Sequence, residues 1–147
     1  MAAKFQITVD CSDPDLLARF WAPALGYVMQ PPPEGHETWH DYWLSVGVPE
    51  AEVEVGYDSI VDPSGDGIRI WFQKVPEKKS IKNRLHFDVL VGGGRTLPIA
   101  ERRRRVDAAV AKLVEAGATV IKVVEAPQVD HYFVAMRDPE GNEFDVV

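Results

Sequence analysis

The chain has a single cysteine, Cys11, among 147 residues, which excludes an internal disulfide framework. No apolar run approaches the length needed to cross a bilayer. The opening residues show no charged segment followed by an apolar stretch and a cleavage site, so we expect a cytoplasmic protein with no membrane partner. Basic charge is also scarce: 16 Lys and Arg against 23 Asp and Glu leave a formal net charge of −7. That balance argues against nucleic acid as a partner, because neutralising phosphates takes clustered Lys and Arg. Residues 102–105 form the one basic run, and their place in an expected helix reads as a solvated helix face. No Ser-His-Asp pattern, phosphate loop or zinc-finger spacing is present.

What remains is a chain of one-domain length, able to bury about two-thirds of its unfolded surface. Its clearest pattern is residues 84–91, R-L-H-F-D-V-L-V, where Leu85, Phe87, Val89 and Val91 alternate with Arg84, His86, Asp88 and Leu90. The alternation predicts a strand whose apolar side packs on helices. His86 and Asp88 then point the same way from its other side, onto either solvent or a pocket. Residues 4–10 give a similar strand, with Gln6, Thr8 and Asp10 opposite Phe5, Ile7 and Val9. Ser12 or Asp13 caps the helix that follows, Pro14 suits its first turn, and Gly26 ends it. Leu16, Leu17, Phe20, Trp21, Ala24 and Leu25 make its apolar stripe.

Short strands are expected at 27–30 and 41–46, with a proline-rich loop between them, and a firm strand at 68–75 sets Arg69, Trp71 and Gln73 opposite Ile70 and Phe72. Residues 76–83 read as a polar connector. A helix over 98–116 buries Val106, Ala109, Val110, Leu113 and Val114, and strands follow at 119–124, 132–136 and 143–147. Strand, helix and roughly three strands thus occur twice.

Two stretches carry a family resemblance: F-V-A-M-R-D-P-E-G-N-E-F-D-V-V at 133–147, and Q-I-T-V-D-C-S-D-P-D at 6–15. Over essentially its whole length the chain resembles the vicinal oxygen chelate superfamily. That group includes glyoxalase I, extradiol dioxygenases and the fosfomycin- and bleomycin-resistance proteins, and the chain is most similar to its glyoxalase-like bacterial members. The resemblance implies an α+β fold, a single domain over 1–147 built of two βαβββ modules, 1–76 and 84–147. Their strands would form a curved mixed sheet with a concave pocket, often completed in a homodimer. It also implies a small-molecule ligand and one divalent metal, Zn, Ni, Mn or Fe, bound by Gln6, Gln73, His86 and Asp145, with Trp71 as the alternative to Gln73 two residues away. That set offers one anion where glyoxalase I has two, which argues against glyoxalase I activity itself.

Each residue also has a plainer reading. His86 is a metal ligand, a proton shuttle or a partner for Asp88. Asp88 and Asp145 form a catalytic acid–base pair or serve as hydrogen-bonded structural carboxylates. Arg69 and Trp71 bind the anionic and planar parts of a ligand or simply occupy a sheet rim, and Glu143 adds charge if the pocket extends that far. Trp39, Trp43, His36 and His40 roof a pocket or pack under the proline loop. Cys11 reads as a buried, inert thiol. Three functions stay open: a metal-dependent lyase, isomerase or dioxygenase acting on an oxygen-rich substrate; a metal-free binding protein of the bleomycin-resistance type; and an interaction subunit that has lost the site.

Overall fold

Asp13 starts the first helix as expected: its side chain accepts the Leu16 N–H at 3.0 Å, Pro14 takes the first turn, and Gly26 closes it at φ 71°. The computed structural model describes residues 3–147, so Met1 and Ala2, the first residues of the expected first module, lie outside the described residues. Two compact units are present, Met1–Glu77 and Lys78–Val147. Residues 78–83, expected in a connector, belong to the second, where Glu143 accepts the Asn83 N–H at 2.9 Å and pairs with Lys79 at 3.0 Å.

In the first unit the elements are β1 (Ile7–Cys11), α1 (Pro14–Leu25), β2 (Val28–Met29), α2 (Trp39–Ser45), β3 (Ser59–Val61) and β4 (Ile70–Lys74). The sheet order is β1-β4-β3-β2, with β1 and β4 parallel and the other pairs antiparallel. α1 packs against β2, β3 and β4, burying Leu17, Phe20 and Trp21 with Ile60, Ile70, Phe72 and Cys11. Ile70 and Phe72 face this core, so the alternation of β4 turns Arg69, Trp71 and Gln73 to the other side.

The second unit repeats the plan with β5 (Asp88–Val89), α3 (Ile99–Glu115), β6 (Thr119–Ala126), β7 (His131–Arg137) and β8 (Glu143–Val146) in the order β5-β8-β7-β6. α3 lies on β7 and β8, and Val106 and Leu113 meet Val134, Met136, Phe144 and Val146 in the core. The α+β fold of two βαβββ modules is therefore present, each module with its own open four-stranded mixed sheet.

Several local expectations change, and Leu16 and Val114, read into the helix stripes, are exposed. Residues 41–46 are not a strand but the end of α2, because the Thr38 hydroxyl accepts the Asp41 N–H at 3.0 Å and starts a helix. The apolar residues read there at a period of two belong to helical spacing instead: Trp39 meets Tyr42 and stacks on Trp43 at 5.8 Å. The strand at 84–91 pairs only at Asp88 and Val89, since β5 is a sheet edge and β8 is short; Leu85, expected on the side packed on helices, is exposed. Arg102, read as part of a solvated face, is buried. It shares the core stripe with Val106 one turn on, and its guanidinium donates to the carbonyls of Leu97 and Asp130 and pairs with the Asp130 carboxylate at 2.5 Å.

Candidate functional site

The two units share a local device that fixes which side chains correspond. Asp62-Pro63-Ser64-Gly65 and Asp138-Pro139-Glu140-Gly141 form the same turn. In each, the glycine N–H bonds the Asp carbonyl at 3.0 and 2.9 Å, and the Asp side chain accepts the N–H two residues on, at 2.9 Å in both. Both glycines have left-handed φ, 82° and 87°, which a side chain would disfavour. Each turn leads into the last strand of its module, and that strand runs parallel to the first, pairing Thr8 with Trp71 and Asp88 with Asp145.

Gln6 and His86 each sit two residues before the paired residue of the first strand. The register thus decides between the two positions left open for the fourth ligand: Trp71, not Gln73, corresponds to Asp145. An indole offers only a donor and cannot replace a carboxylate ligand. Two extra residues, Asp66 and Gly67, displace the count from the first turn. The repeated D-P-x-G was the signal that could have located Trp71 from sequence.

In the second unit, His86 and Asp88 from the β5 segment meet Asp145 from β8. His86 Nε2 lies 3.3 Å from Asp88 Oδ1 and 3.7 Å from Asp145 Oδ2, and one ligand atom from each residue falls within 4.8 Å of the others. Donors bound to one zinc-sized ion at about 2.1 Å stand roughly 3–3.6 Å apart, so the His86–Asp88 distance is in that range while Asp145 would have to draw closer for all three to share one cation. Two carboxylates and an imidazole also supply the two negative charges that Gln6, Gln73, His86 and Asp145 together would not. Asp88, expected as an acid or base, is thus a candidate ligand as well.

His86 and Asp145 border a cleft of about 490 Å³ on the sheet side opposite α3, walled by Ile121 and Phe133 and edged by Lys82, Lys122 and Arg137. Glu143 lines this cleft too, but its carboxylate is engaged. The Asn83 N–H, together with Lys79, outweighs the effect of burial and holds its pKa down to about 2.

In the first unit, the Arg69 guanidinium reaches Gln6 Oε1 at 2.7 Å, Gln30 Oε1 at 2.6 Å and Ser59 Oγ at 2.7 Å. The Gln6 amide oxygen, expected on a metal, therefore serves Arg69. Gln73 is paired with Asp10 two residues past Trp71, on the same face. Arg69 and Trp71 do line a cleft, of about 500 Å³, together with Trp39 and Trp43 from α2. Trp39 and Trp43 of the proline-loop region therefore border a cleft, whereas His36 packs on Tyr42 at 5.3 Å and neither it nor His40 lines that cleft. Cys11 is buried.

Two modules of this plan, with an acidic–imidazole cluster on the sheet face of the second, define a glyoxalase-like domain. The family model for the glyoxalase-like domain matches residues 6–147, and the chain belongs to that family. A search of curated proteins finds no match.

Among solved structures, the chain is similar to hypothetical protein SA1046 from S. aureus (15% identity, 99% of this chain and 93% of that one, TM-score 0.61). It is similar to a glyoxalase/bleomycin resistance protein/dioxygenase family enzyme from Burkholderia phytofirmans PsJN (19%, 96% and 94%, TM-score 0.57). It is also similar to the fosfomycin resistance protein FosX from Listeria monocytogenes (9%, 99% and 92%, TM-score 0.60). These likenesses establish the fold. No helix is long and apolar enough to cross a membrane among the described residues.

Proposed function

We propose that this chain is a metal-dependent glyoxalase-like protein, a lyase, isomerase or dioxygenase, that takes a small oxygen-rich organic molecule in the cleft of its second module. The observation that carries this reading is the approach of His86, Asp88 and Asp145 to within 4.8 Å of one another. A divalent ion there, Zn, Ni, Mn or Fe, supplies Lewis-acid polarisation of substrate oxygens when bound. The chain's own side chains do the rest. Lys122 and Arg137 offer donors to substrate oxygens, Phe133 and Ile121 form an apolar wall that limits water, and the Asp145 carboxylate in the cleft, or Asp88 beside His86, takes up a substrate proton. We further propose a cytoplasmic homodimer, for which sedimentation is the test.

Metal analysis of protein purified without chelators tests the proposal. It expects near-stoichiometric metal, lost in His86→Ala with the fold intact by circular dichroism. Neither bound metal nor uptake of any of the four ions would sink it. A second reading, a metal-free binding protein, is favoured by Trp71 standing opposite Thr8 where Asp145 stands opposite Asp88. Ligand binding indifferent to a chelator supports that reading over the first.

A further inference from the structure

We infer that the first unit carries a second binding site, a cleft for a planar aromatic monocarboxylate, anchored by the Arg69 guanidinium and walled by indole rings. Every residue involved lies within 1–77, and nothing in the argument depends on the metal.

A guanidinium has five N–H donors. Three are taken, by Gln30 Oε1, Gln6 Oε1 and Ser59 Oγ, and all three acceptors are neutral. Among the described residues no carboxylate lies within 4.0 Å of Arg69. The side chain is therefore fixed in place with its positive charge unmatched, and one N–H on each terminal nitrogen is left over. Two such donors side by side are the fork that a carboxylate accepts in a bidentate pair.

The walls are fixed as well. Trp71 donates its indole N–H to Asp58 Oδ2 at 3.1 Å, and Trp39 donates to the Gln30 carbonyl at 2.8 Å while stacking on Trp43. Immobilised indoles present flat apolar surface with little further ordering on binding, and the volume of about 500 Å³ suits a two-ring ligand.

The acidic lining sets the charge limit. Glu54 is paired with Lys74 at 3.0 Å, while Asp58 accepts from the neutral Ser59 hydroxyl and Trp71 indole, keeps its charge and makes no direct ion pair with Arg69. Both, with Glu52, still repel a second negative charge on the ligand.

The test is isothermal titration of the full chain with 2-naphthoate, 2-naphthamide, naphthalene-2,6-dicarboxylate and 2-naphthylmethylammonium. The monocarboxylate is expected to bind at least about tenfold more tightly than the amide, since the charge-assisted fork is lost, and more tightly than the dianion. Gln6→Glu sets a carboxylate of the same shape against Arg69. It should weaken naphthoate about tenfold or more while the thermal midpoint holds or rises, which separates loss of the site from loss of the fold. EDTA should change nothing, so this result and the metal result above fail independently. Equal affinity for acid and amide, unimpaired binding by Gln6→Glu, preference for the ammonium compound, or no binding of naphthoate would each overturn the inference.

Discussion

Glu143 ties residues 78–83 to β8 through the Asn83 N–H and Lys79. Its pKa falls from the ordinary 4.5 to about 2 in the folded chain, so the folded state favours the carboxylate. This contribution is complete above the unfolded value and is lost as pH falls from about 4.5 to about 2. Glu143→Gln should therefore lower the thermal midpoint at pH 7 and flatten its decline in that acid window, as a pH series of melting curves will show. Arg102 acts differently, by satisfying two loop carbonyls from inside the helix stripe. Arg102→Ala should cost about 1–3 kcal/mol in urea unfolding, because those carbonyls lose their donors. Nothing in R-R-R-R distinguishes the buried arginine from its neighbours except its spacing from Val106, and charge alone led to the solvated reading.

At the scale of elements, the caps were the most legible feature. Asp13, Pro14 and Gly26 bound α1 as local chemistry requires, and Asp13→Ala should cost about 1 kcal/mol in chemical denaturation. The core of β4 was legible from alternation; Phe72→Ala, at a fully buried position, should cost about 3–5 kcal/mol by the same measurement. The failures arose where pairing partners decide. Residues 84–91 have the strongest alternation in the chain, yet a strand exists only where β8 supplies hydrogen bonds. Residues 39–45 satisfy both periods over so short a span, and the Thr38 cap settles them as helix. Of the candidate site, His86 was read from the alternation of 84–91 and Asp145 from the family resemblance. Asp88 was found by sharing their face, while the engagement of Gln6 by Arg69 depends on contacts 63 residues apart that no local pattern encodes.

For the whole molecule, the proposed metal binding gives a stability effect that can be localised. An ion at 100 times its dissociation constant should stabilise the folded chain by about 2.7 kcal/mol, seen as a calorimetric shift that EDTA reverses and His86→Ala abolishes. Hydrogen exchange should slow at the amides of β5 and β8 and stay unchanged in β1–β4, since all three donors belong to residues 78–147. Equal slowing in both units would remove the assignment. The twice-used D-P-x-G corner has a wider consequence. Two half-domains launched into the same register have interchangeable frames and independent cargo, so one copy can trade an acid for an aromatic ring without disturbing its own ladder. A repeated scaffold of this kind lets each half carry a separate task, and position 71 is where the two halves differ in chemistry at one register.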